Sequence, residues 1–243
     1  MADDIYPNKM SIIEHLEELR KRIIASLIFF TLASIFSFMF VDKISDILRL
    51  PALGIIENFI FLTPTEVFTA YMRMSILAGF VISLPFILLQ LGLFLMPAVQ
   101  RDQREAIVSW LIISFLLSIL GIIFSYFLAL PFALKFLISF AKGAAVPMIS
   151  IGKYFSFAGA LLLIGAGIFQ IPVVMALLSY IGIFKAAFFR KNRKYAVVVI
   201  FIIAAIITPT QDIINMLIFA VPMLVLYEAG ILASWIIEKR RKV

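Results

Sequence analysis

Long stretches without a charged residue alternate with short charged ones, and they set the first expectation. Five such runs, Ile23 to Val41, Met74 to Gln100, Ala106 to Leu134, Tyr154 to Phe184 and Tyr195 to Ile207, are joined by a sixth, Ile213 to Ile237, that carries Glu228 inside it. A helix rises 1.5 Å per residue, and a hydrocarbon core of about 30 Å needs about 20 apolar residues. Five runs meet that length. The fifth has 13 residues, enough for only about 20 Å, and crosses in a tilted or locally thinned arrangement. With the start of the sixth it reads as a tight helical hairpin turning around Thr208–Asp212. The expected fold class is therefore an all-α polytopic membrane protein. It has six transmembrane helices, the last two short and paired as a hairpin.

Ahead of the first run the pattern changes. Ile12, Leu16, Leu19 and Ile23 recur at helical spacing, while Glu14, Glu17 and Glu18 lie elsewhere on the helix. Ser11 and Glu14 have the spacing of a capping box. Glu17–Lys21 and Glu18–Arg22 are i,i+4 pairs in the favourable order. Such a segment reads either as a solvated amphipathic helix leading into the membrane or as a carboxylate patch that binds cations.

Composition sharpens the class. Hydrophobic residues make up 64% of the 243 and charged ones 14%, against about 45–50% and about 25% in soluble domains, so a water-soluble fold is excluded. Fifteen of the 21 Lys and Arg fall on one side of the six-span arrangement and five on the other, with Arg73 at a span edge. The positive-inside rule then places both termini in the cytoplasm. The acidic start offers no cleavage site, so no signal peptide is expected to be removed. No repeat or linker divides residues 1–243, and a single membrane domain is expected. With no Cys and one His, thiol nucleophiles, Fe–S clusters and Cys/His zinc sites are absent, and no HExxH pair or Gly-rich phosphate loop occurs. Neither metal, cofactor nor enzymatic activity is expected. The basic stretch Lys185 to Lys194 is explained by topology and by attraction to anionic lipids rather than by nucleic acid.

His15-Leu16-Glu17-Glu18-Leu19-Arg20-Lys21-Arg22 is similar to the N-terminal signature of the TatC family, the signal-peptide receptor subunit of the twin-arginine protein translocase, and Thr63-Pro64-Thr65-Glu66 with Phe68 resembles the loop before that family's second span. Pro85, Gln90 and Phe94-Leu95-Met96-Pro97-Ala98 resemble the end of that span. Phe169-Gln170-Ile171-Pro172-Val173 resembles the fourth span, and Arg190-Lys191 with Arg193-Lys194-Tyr195 the second cytoplasmic loop. Thr208-Pro209 with Asp212, Ala220-Val221-Pro222 and Leu226-Tyr227-Glu228 resemble the last hairpin. The resemblance implies a receptor in the cytoplasmic (inner) membrane for twin-arginine signal peptides of folded precursors. It also implies single-span TatA/TatB-type partners, further copies of the chain in the complex, surrounding lipids and a proton-motive driving force. Carried over by position, Glu18 and Phe94 receive the arginine pair, with Arg20 beside them. A carboxylate can meet a planar guanidinium bidentately, which a lysine cannot reproduce. The family's loop glutamate falls on Gln103, a departure that Asp102 or Glu105 would compensate.

Polar residues within the runs complete the picture. Gln170 lies near mid-span, where a polar side chain faces protein or water, either as interhelical glue or as a contact for partners or cargo. The family commonly has glutamate there. Pro172 frees backbone groups and kinks the helix. Glu228 lies well inside the sixth run, as a functional carboxylate or a neutral hydrogen-bonded one. Arg73 is expected to snorkel, and Glu66, Thr208 and Asp212 to cap helix ends. Gly165-Ala166-Gly167 suggests close helix packing. A six-helix solute transporter or channel is the competing reading, permitted by the proline-broken helices and Gln170.

Overall fold

The computed structural model describes residues 12–56, 58–95, 104–140, 148–208 and 213–241, with side chains described at all of these except 12, 95, 104–107, 140, 214, 215, 240 and 241. It is almost wholly helical. Ten α-helices follow one another: α1 Ile12–Phe38, α2 Val41–Arg49, α3 Glu66–Leu95, α4 Arg104–Phe124, α5 Leu130–Phe140, α6 Ile151–Ile168, α7 Ile171–Ile181, α8 Ala186–Lys191, α9 Arg193–Ile207 and α10 Ile213–Arg241. Among the described residues, five helical runs are long and apolar enough to cross a membrane: Ile13–Phe38, Glu66–Phe94, Val108–Ser139, Ile151–Ile181 and Met216–Lys239. The chain is a multi-pass membrane protein.

Four sequence expectations change. The fold is not purely α: Phe59–Ile60 (β1) and Ile149–Ser150 (β2) pair as a two-residue parallel ladder between loops. The last two helices are not both short. At 15 residues α9 is only about 22 Å long, but α10 has 29 and extends about 43 Å. The charged end Glu238–Arg241 simply continues the helix of the apolar run. The fourth run is two helices, because Pro172 has no N–H to give Ile168 and the backbone turns at Phe169–Gln170 before α7 starts with Pro172 in its first turn. The third contains a π-helical turn, Ser125–Ala129, between α4 and α5.

The chain resolves into two compact units, with α3 and α4 contributing to both. The first holds residues 1–40 and 75–115. Its framework is the antiparallel packing of α1 on α3. Partners run in opposite order along the two helices: His15 meets Phe94, Arg22 meets Gln90, Phe29 stacks on Phe86 and Phe30 meets Phe80 edge-on. His15, Arg22 and Phe29 are spaced by seven, two helical turns, so they share one face of α1. Near the far end a Cβ at Gly79 would collide with the Ser34 backbone, so only glycine permits that approach.

The second unit holds residues 41–74 and 116–243. Tyr154, Met74, Leu130 and Leu161 are its largest fully buried side chains. The short helix α2 buries Val41, Ser45 and Leu48, and its last carbonyls, Ile47 and Leu48, accept the hydroxyls of Tyr126 and Tyr154. Two glycine crossings tighten the unit. A Cβ at Gly165 would strike Ser125 Oγ and one at Gly121 the Gly165 carbonyl, so α6 and α4 touch through backbone. On α10, Gly230 leaves space for Met175 and Pro172 of α7. Gly167 meets nothing within 4 Å, so of the two glycines in the expected small-residue stretch Gly165 alone makes a close crossing. Finally α10 packs along α7, α8 and α9, around Met175, Phe189 and Ile231.

Candidate functional site

The first unit gathers the residues of the N-terminal signature and the end of α3. On α1, one turn separates Glu18 from Arg22, and the Arg22 Nη2 donates to Glu18 Oε1 at 3.1 Å. The other terminal nitrogen, Nη1, donates to Gln90 Oε1 on α3 at 3.0 Å. One guanidinium fork therefore ties both helices to the carboxylate. The Glu18 side chain is only 19% exposed, and its second oxygen, Oε2, is buried with no hydrogen-bond partner among the described residues. A turn earlier, the His15 ring lies flat on Phe94, centroids 4.4 Å apart and planes 22° from parallel. The site combines a half-engaged carboxylate with the His15–Phe94 ring stack, one turn away along α1.

A buried carboxylate oxygen without a donor is unfavourable by an amount comparable to a lost hydrogen bond to a charged group. A ligand that brings N–H donors and positive charge recovers that cost. A guanidinium carries both. Because Arg22 engages Oε1, the Glu18 oxygen left without a donor is Oε2.

Of the other sequence candidates, Arg20 is exposed on α1, as are Glu17 and Lys21. Glu105 lies in the first turn of α4, at a position whose side chain is not described, and Asp102 and Gln103 lie outside the described residues. So do Ser11, Pro209 and Asp212. Pro85 sits inside α3. Sequence reasoning paired Glu18 with Arg22 by spacing but gave no role to Gln90, 68 residues from Arg22, or to the His15 ring on Phe94.

In the second unit the polar candidates have specific partners. Gln170 Nε2 donates to Ser118 Oγ at 2.7 Å, joining the α6–α7 turn to α4. Glu228 is not deeply buried. It pairs with Arg193 at 2.6 Å, with both side chains about half exposed, because α10 carries it to the first turn of α9. Arg73 donates to Ser156 Oγ rather than simply snorkelling. Thr208 closes α9 by giving its hydroxyl to the Ala204 carbonyl at 2.9 Å. Glu66, expected to cap a helix end, caps α6. Its Oε2 accepts the Leu62 N–H at 2.7 Å and its Oε1 the Gly152 N–H at 2.9 Å, together with the Ser150 hydroxyl. A carboxylate is thereby held at the N-terminus of α6, where the helix dipole favours it. Among the described residues no group of His, Asp and Glu could hold a metal ion.

Long apolar helices define a multi-pass membrane protein, and a buried carboxylate oxygen on its first helix lacks a donor. Comparison with known proteins gives the family. The model for "Sec-independent protein translocase protein (TatC)" matches residues 14–222. A relative named Sec-independent protein translocase protein TatC, from Carboxydothermus hydrogenoformans, is 36% identical over 95% of each chain. One of that name from Aquifex aeolicus is 35% identical over 96% of this chain and 98% of its own. A solved structure described as the twin-arginine translocase receptor TatC superposes with a TM-score of 0.80 at 36% identity, covering 93% of this chain and all of that one. The chain belongs to the TatC family of Sec-independent protein translocases.

Proposed function

We propose that this chain is the receptor that binds twin-arginine signal peptides and nucleates a translocase for folded proteins. The observation that carries the reading is Glu18. A family that includes a twin-arginine translocase receptor has here a carboxylate with one buried, unpartnered oxygen beside an aromatic ring. One arginine of the pair docks on Oε2 and along Phe94. The second is met by a carboxylate of the following loop or of α4, Asp102 or Glu105, in place of the family's glutamate at Gln103, with Arg20 bordering the site.

The topology that goes with this function has six spans with α9 as the short fifth, both termini in the cytoplasm and the Glu18 site on the inner face of the cytoplasmic membrane. Lys and Arg asymmetry supports that orientation. A chain of this size cannot enclose a pore for a folded domain. Single-span TatA/TatB-type subunits and further copies of the chain therefore assemble around it among the lipids, driven by the proton-motive force. Gln170 and Glu228 are proposed contacts for those partners or for cargo, and Pro85, Pro172, Thr208, Pro209 and Asp212 shape the helices that present them.

An export assay tests the reading. In cells relying on this chain, a folded reporter behind a twin-arginine signal should reach the outside, and Glu18→Ala should reduce export at least about tenfold, the loss expected for one charged hydrogen bond. Unchanged export with Glu18→Ala, or equal export behind a twin-lysine signal, would contradict it.

A further inference from the structure

We infer that Arg22 is a positioning residue for signal-peptide recognition: it engages Glu18 Oε1 and leaves only Oε2, itself buried and without a donor, for the incoming arginine to satisfy. This inference rests on the receptor reading above and assigns Arg22 and Gln90 a role in its specificity.

Three observations combine. Arg22 uses two different nitrogens for two partners on two helices, Nη2 for Glu18 and Nη1 for Gln90. Glu18 and Arg22 are both largely covered, at 19% and 31% exposure, so their contact is screened less than a surface pair. The carboxylate is satisfied on one side and unsatisfied on the other. A carboxylate free to rotate about its terminal torsion would present either oxygen, or both, to any cation. With Oε1 fixed, the acceptor has one direction. A planar N–H donor directed along it is favoured over a freely turning ammonium, which gains nothing from a fixed direction.

The chemistry of Arg22 matters, not only its charge. A guanidinium spans Glu18 and Gln90 with a rigid fork, whereas a lysine ammonium is a point donor on a flexible stem. Lysine at 22 would keep the positive charge but hold at most one partner well. The Gln90 arm matters for the same reason, since it pins the guanidinium to α3 close to Phe94. Both recognition elements, carboxylate and ring, are then set by one α1–α3 contact line: His15 on Phe94, and Arg22 on Gln90.

The test uses the full chain reconstituted in lipid nanodiscs, titrated with a fluorescent signal peptide carrying Arg-Arg and with its Lys-Lys twin. Wild type should prefer the arginine peptide. Arg22→Lys should lose about tenfold affinity for the arginine peptide and little for the lysine peptide, so the preference collapses. Gln90→Leu should move in the same direction, Gln90→Glu should retain the preference, and Arg22→Lys added to Glu18→Gln should cause no further loss, because the two residues act as one unit. Wild-type preference in Arg22→Lys and Gln90→Leu, additive losses in the double variant, an equal loss for both peptides, or tighter arginine binding would each overturn it. Gln90→Leu keeps the question answerable if Arg22→Lys does not fold. A wild-type chain that binds both peptides equally would instead overturn the receptor reading itself, a different result from lost coupling in a chain that discriminates.

Discussion

Single residues divide into those whose partners are near in sequence and those whose partners are far. The Glu18–Arg22 pair was legible, because one helical turn separates the two. Gln170 was legible as a polar residue needing a partner, but Ser118 is 52 positions away and nothing local points to it. The same holds for Glu66, whose acidic position at a helix start suggested a cap but not the cap of α6, 86 residues on. Two outcomes follow. Gln170→Leu should lower stability by about 0.6–2 kcal/mol, the range for an interhelical hydrogen bond in a membrane, read as thermal unfolding in detergent. A loss well beyond that would mean Gln170 supports more than the Ser118 contact. Arg193→Gln should cost less than about 1 kcal/mol, because the pair with Glu228 is half exposed. A larger effect would mean that Glu228 depends on Arg193 in a drier setting.

At the scale of elements, run length and charge located the long apolar helices and the short α9, because apolar length is a one-dimensional property, but not the short charged helices α2 and α8. What they missed arises where backbone meets backbone. The π turn at Ser125–Ala129 has no sequence mark of its own, yet Ser125 lies against Gly165 at the closest crossing of the unit. The length of α10 was underestimated because a boundary was drawn where charge begins, although Glu238 to Arg241 are good helix formers. The crossing gives a contrast within three residues. Gly165→Val should destabilise by about 1–3 kcal/mol or prevent folding, because any Cβ meets Ser125. Gly167→Ala should be neutral or stabilising by up to about 1 kcal/mol, because its Cβ meets nothing and alanine favours the helix. Equal effects at both positions would contradict the Gly121–Gly165 contact.

For the whole molecule, composition alone excluded a soluble fold, and charge asymmetry supplied an orientation to test. The absence of cysteine makes that test clean, since each introduced thiol is unique. In intact cells an impermeant maleimide should label Lys43→Cys, and should label Lys242→Cys only after the membrane is opened. The reverse pattern would turn the topology over and put the Glu18 site on the wrong face for a signal-peptide receptor. The division into a unit built on α1 and a unit built on α6, α7 and α10 was not legible, because the helices that supply both, α3 and α4, are continuous apolar runs in the sequence.

The most direct measurement is photocrosslinking in membranes with a probe at Phe94, challenged with a precursor whose signal carries two arginines or two lysines. The receptor reading predicts crosslinks to the arginine precursor that fade with lysines and with Glu18→Ala. Equal crosslinks to both precursors, unaffected by Glu18→Ala, would contradict it and leave only an apolar surface beside α1.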